Sequence, residues 1–221
     1  MLKHITLLTC ILVFLNIAAC ERLSGEPSVF SYIKNGKLEE VKEKVEEKGV
    51  FESLNSSGVT PLIYSIEENN FDAFNLLLES GANPNFKIAS GGSAVTFSVI
   101  NDNPDYLRTL IKYGANVDTF HEERKRNVIF DALSPNKIEH LKALVSAGAE
   151  VNVRDGVNQT PLIVAANLNQ YEVVLFLLEN GANPDLTDNF GNKLSSVLES
   201  NVKFESESMA KIKLKILPFL E

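Results

Sequence analysis

The chain has 221 residues, 44% hydrophobic, with a formal net charge of -8 and two cysteines. Apolar content is ample for one buried core, and the length fits a single domain. The acidic balance disfavours nucleic acid and anionic membrane surfaces as partners.

Residues 1–19 read as a secretion signal rather than as fold. Lys3 supplies positive charge, Ile5 to Phe14 is a mostly apolar run too short for a permanent span, and small residues precede Cys20. Ile17-Ala18-Ala19-Cys20 resembles a bacterial lipobox, which implies cleavage before Cys20 and lipidation there; a plain cleaved signal with an incidental cysteine is the alternative. Glu21 is not the Asp that usually retains such lipoproteins in the inner membrane, so the resemblance points to the outer membrane, facing the periplasm. Residues 20–27 form the lipidated cysteine and its tether. With Cys10 in the signal and Cys20 as anchor, no pair is left for a disulfide.

From residue 28 onward a period of about 33 residues dominates. The tetrads Gly81-Ala82-Asn83-Pro84, Gly114-Ala115-Asn116-Val117, Gly148-Ala149-Glu150-Val151 and Gly181-Ala182-Asn183-Pro184 mark it. Each follows an apolar pair, Leu77-Leu78, Leu110-Ile111, Leu144-Val145 or Leu177-Leu178. Glycine there stops a helix by taking the left-handed conformation. Thr60-Pro61 and Thr160-Pro161 supply a cap and a first-turn proline at helix starts, and Ser28, Ser93 and Asn127 fall at the same offset. Each unit is therefore predicted to be a helix, a turn, a second helix and an exposed loop.

These in-phase motifs resemble the ankyrin repeat. The resemblance implies an all-α solenoid: a capping unit over 28–57, repeats over 58–90, 91–124, 125–157 and 158–190, and a C-terminal cap over 191–221. In the second half of that cap, Met209, Ile212, Ile216 and Phe219 have helical spacing, while residues 211–216 also alternate like a strand; a capping helix is preferred because a solenoid needs a polar-backed end. One departure from the family is that Ile63 and Ile163 stand where a histidine usually links neighbouring repeats.

Little points to catalysis. His140 lies on a second helix beside Leu141 and reads as structural, and His121 has no second histidine at helical spacing for zinc. Gly91-Gly92-Ser93 lacks the following glycine of a nucleophile elbow. No enzyme activity, cofactor, metal or small-molecule substrate is expected. The resemblance instead implies a concave binding face of loops and first helices. On it fall Tyr64, Glu67 and Glu68, then Phe97, Asn101 and Asp102. The loop before the third first helix and that helix add Phe120, His121, Arg124, Arg126 and Asp131; Arg154, Asn167 and Phe190 follow. Aromatic and arginine side chains among these are the expected anchors, with local packing the alternative for each Phe. Fold and address together imply a protein partner. The specific expectation is an immunity protein that binds and blocks an antibacterial effector, such as a type VI secretion phospholipase; the alternative is an envelope housekeeping adaptor for a resident periplasmic protein.

Overall fold

The computed structural model describes residues 28–122, 124–200 and 207–220. The signal, Cys20 and the tether lie outside the described residues. Helices pair in chain order: α1 (Val29–Lys34) with α2 (Leu38–Lys44), α3 (Pro61–Glu67) with α4 (Phe71–Glu79), and α5 (Ala94–Ile100) with α6 (Pro104–Lys112). A 3-10 segment (Val128–Leu133) pairs with α7 (Ile138–Ser146), and α8 (Pro161–Asn167) with α9 (Tyr171–Glu179). The C-terminal unit holds α10 (Leu194–Ser200) and α11 (Glu207–Ile216). First helices stack on first helices from α1 to α10, the 3-10 segment standing in for one of them, and α11 closes the stack against α9.

Local chemistry sets the boundaries as predicted. Thr60 and Thr160 hydroxyls accept the N–H groups of Ile63 and Ile163, and Pro61 and Pro161 occupy the first helical turn. The tetrad glycines all have positive φ, between 78° and 101°. The apolar pairs divide their work unequally. Leu77, Leu110, Leu144 and Leu177 are fully buried in one column. Leu78 and Leu178 are nearly so, but Ile111 and Val145 only pack against the core's edge. In the N-terminal cap, Val29, Ile33 and Val41 are buried, whereas Leu38 is exposed.

The third unit departs from the expected α-helix. Its first element winds as a 3-10 helix with all six residues buried. Asn127 caps it by accepting the N–H of Ile129 at 3.1 Å. Ser134 precedes Pro135, which pushes Ser134 into extended backbone and ends the element early. Ahead of it, β1 (Phe120–His121) and β2 (Arg126–Asn127) form a small antiparallel hairpin, with Phe120 opposite Asn127 and His121 opposite Arg126. At the C-terminus the helical spacing prevails over the alternating one: residues 207–216 are helix, Ile216 is fully buried, and Phe219 lies past the helix end and exposed.

Ile63 and Ile163 are buried at 1% exposure, so the usual histidine link is replaced by apolar packing. Polar order between repeats comes from two other columns. On the finger side, Asn85 donates to the Gly114 carbonyl (3.0 Å) and accepts the Asn116 N–H (2.7 Å); Asn152 does the same to Gly181 and Asn183 (3.1 and 2.8 Å). At the opposite end of the first helices, Asn70 donates to the Ile33 carbonyl, Asn101 to Ile66, Lys137 to Ile100 and Gln170 to Leu133, at 2.7–3.1 Å. These bonds satisfy the carbonyls left open at helix C-termini and fix the register of each unit on the next.

Candidate binding face

The predicted contact residues fall into three groups. Tyr64, Glu67 and Glu68 share the last turns of α3. Tyr64 packs edge-on against Phe30, ring centroids 5.5 Å apart. Burial, a hydrogen bond to Glu68 and the charges of Glu68 and Glu67 push its phenol up to about 12. Partial burial, with the Glu68 charge beside it, also raises the Glu67 carboxyl above its usual range. The result is an acidic end of helix with an aromatic wall.

Asn101 and Asp102 belong to the stacking machinery instead. Asn101 donates to the Ile66 carbonyl and to Asn69 Oδ1 (2.9 Å) and accepts the Asn103 N–H (2.8 Å), which leaves it no free donor for a partner. Asp102 is exposed but pairs at 3.0 Å with Lys137, whose buried ammonium also donates to the carbonyls of Ile100 and Asn101. Sequence reasoning missed Lys137 because a lysine normally marks surface; its place in the carbonyl-capping column was the signal. Phe97 is half-buried, with the backbone of Gly92 lying so close that a Cβ there would meet its ring at 3.1 Å. Local packing accounts for it.

The third finger brings together the largest number of predicted residues, with two corrections. Phe120 is 38% exposed at the base of the hairpin, as a contact residue requires. His121 and Asp131 were expected on the surface but are buried. His121 Nδ1 accepts the Arg124 N–H at 3.3 Å and so shapes the turn. Asp131 Oδ1 accepts from Arg124 at 2.7 Å and also from Arg126. Burial of the carboxylate requires this pairing. The two arginines are thus held by their own chain, yet 43% and 38% of their side chains stay exposed.

The last two fingers are cross-braced. Arg154 donates to the Asn158 and Thr187 carbonyls (2.9 and 2.8 Å), Asn189 N–H to the Val157 carbonyl (3.1 Å), and Asn158 to Asn189 Oδ1 (2.7 Å). Arg154 is therefore a brace rather than a free anchor. What the brace presents is apolar: Phe190 is 75% exposed and Val157 41%. Asn167 is exposed at the end of α8, beside the 55% exposed Leu168.

A groove of about 720 Å3 lies elsewhere, on the back of the stack between α4, α6 and α7. Phe71, Ile111 and Ala143 are among its lining residues, and an ion-pair chain Asp105–Arg108–Glu139–Lys142 runs along it at 3.0, 2.8 and 3.0 Å. Lys142 first, and Arg108 after it, hold the Glu139 carboxyl below its usual range. It is a wide trough between helices and takes in none of the finger residues.

The family model for ankyrin repeats in three copies matches residues 97–188, and the single ankyrin repeat model matches residues 57–88, together more than half of the chain. An ankyrin repeat-containing protein of Treponema pallidum is 30% identical over 129 residues, covering 58% of this chain and 43% of that one. The fowlpox virus ankyrin repeat protein FPV031 is 29% identical over 158 residues, covering 66% and 45%. The chain thus spans less than half the length of these curated relatives. Among solved structures, the ankyrin repeat protein EF0377 superposes with a TM-score of 0.73 at 18% identity, covering 87% of this chain and 97% of that one. A chain from the complex of the predatory endopeptidase Bd0816 of Bdellovibrio bacteriovorus with the immunity protein Bd3460 superposes at 0.69 and 24% identity, covering 86% and 98%.

Proposed function

The chain belongs to the ankyrin repeat family, a family of protein-interaction modules, and on that premise we propose that it is an immunity protein. In this reading it is held at Cys20 by lipid to the outer membrane, faces the periplasm, and blocks an antibacterial effector by covering it. The observation that carries the reading is the set of rigid fingers. Phe120 and Phe190 stand exposed on loops fixed by hydrogen bonds, so little ordering entropy is lost when a partner docks. Inhibition by occlusion needs no chemistry from the binder. A fold shared with a chain from an endopeptidase–immunity complex supports the reading by analogy. A phospholipase of a type VI secretion system remains the effector class proposed from the sequence, with an endopeptidase as the class suggested by that neighbour.

The test is rescue. Cells that secrete one hydrolytic effector into their own periplasm should survive when this protein is co-expressed there. Phe120→Ala with Phe190→Ala should abolish rescue while leaving the melting temperature unchanged. Arg124→Glu is unsuitable for this purpose, because it would set a carboxylate against the buried Asp131. No protection against any effector encoded nearby, together with capture of resident envelope proteins alone, would favour the housekeeping adaptor.

A further inference from the structure

The third finger holds two guanidinium groups on a single carboxylate oxygen. Arg124 and Arg126 each give one terminal nitrogen to Asp131 Oδ1, so those nitrogens lie within two hydrogen-bond lengths of each other. Each guanidinium carries five N–H donors, and Asp131 Oδ1 engages one nitrogen of each. The three groups together bear one net positive charge. Glu122 and Lys125, farther out on the same turn, pair with each other at 3.8 Å and neutralise themselves. Asp131 thus holds both guanidinium groups in one place with their remaining donors already oriented.

We propose that the Arg124–Arg126 pair is a receptor for a carboxylate on the protein partner, an Asp or Glu side chain, with Asp131 as the positioning residue beneath it. The proposal rests on the protein-binding reading above and gives the chemistry of the partner's contact. Several features support a carboxylate. Guanidinium forks match its planar oxygens with paired N–H bonds, which a single ammonium cannot do. Pinning by Asp131 lowers the side-chain entropy lost on binding. Phe120, exposed at the foot of the same hairpin, supplies an apolar neighbour, so the preferred segment is an acidic residue next to an apolar one. A phosphate would satisfy the same donors and is separated by the test rather than by assumption.

The test uses the full chain labelled with 15N and four probes: capped tetraglutamate, capped tetralysine, a capped Glu-Leu-Glu-Leu peptide and inorganic phosphate. Saturable shifts of the Arg124 and Arg126 side-chain N–H signals are expected with the acidic peptides, stronger with Glu-Leu-Glu-Leu, and absent with tetralysine. Removing both arginines alone would strand a buried carboxylate, so the loss variant is Arg124→Gln, Arg126→Gln, Asp131→Asn together. A second variant, Arg124→Lys with Arg126→Lys, keeps the charges and the pairing to Asp131 but loses the fork. Both should weaken the acidic peptides by about tenfold. No saturable shift in the parent, phosphate binding as tightly as the peptides, or full binding by the lysine variant would overturn the proposal. An immobilised chain that retains no protein at all would sink the protein-binding reading; one that retains the same protein with and without the arginines would sink only this inference.

Discussion

Asp118 accepts the backbone N–H of Glu150 at 2.9 Å, at the rung of the finger column where Asn85 and Asn152 both accept and donate. A carboxylate has no N–H to give, so the Gly148 carbonyl misses the side-chain donor that Gly114 and Gly181 receive. Asp118→Asn should complete the column. The expected gain is about 0.5–1.5 kcal/mol, the net value of one added hydrogen bond. Urea unfolding of the two proteins checks it, and a midpoint that does not rise in the variant would show that the missing donor costs the parent nothing.

Leu177→Ala removes a fully buried side chain from the leucine column. A cavity there should cost about 2–5 kcal/mol. Because each unit buries its neighbour, amide exchange should quicken in α8 and α10 as well as in α9. Exchange confined to α9 would contradict a shared core.

His140 is 1% exposed, and neither ring nitrogen makes a hydrogen bond of good geometry. Burial, then the Lys137 charge, lower its pKa from the ordinary 6.5, with Arg108 adding to them, while the Asn101 backbone and the Asp102 charge pull the other way. The unfolded chain therefore takes up this proton at a higher pH than the folded one. Stability should be unaffected by this group above about pH 6.5 and should fall as pH drops from there toward the folded-state value. His140→Leu removes that slope. Melting temperatures of both proteins between pH 8 and 5 provide the comparison; parallel curves would mean His140 does not titrate differently on unfolding.

Cys20→Ser should release the protein from the membrane fraction and abolish fatty-acid labelling. Equal label in parent and variant would remove the lipid anchor from the proposed function.

Most of the fold was legible because its determinants are local. Thr-Pro at helix starts, glycine at helix ends and leucine one turn earlier act within a few residues, and they recur in phase. The binding face was less legible, and Asp131 shows why. Counted from the cap it matches Tyr64, Phe97 and Val164, which would set it on the same face. The 3-10 winding advances about 120° per residue against about 100° in an α-helix, so by the fourth residue the side chain has turned roughly 60°. It then lies inward, under the two arginines. Arg154 and Asn101 misled for a different reason. Their partners are backbone carbonyls in the neighbouring unit, and a repeat pattern shows which positions are equivalent without showing which carbonyl lies opposite.

The finger column also bears on how such a chain can change over generations. At three of the four rungs, Asn85, Asp118 and Asn152, the side chain four residues after the tetrad glycine bonds to backbone of the next unit, whatever the side chains there, while Asp185 meets the Lys193 side chain instead. A duplicated or deleted copy of residues 158–190 would therefore meet compatible acceptors and donors at both ends. The third unit cannot be shuffled so freely. Its Lys137 is keyed to the Asp102 carboxylate of the second unit. Recombination should lengthen or shorten the stack toward its C-terminal end, while the second and third units are inherited together.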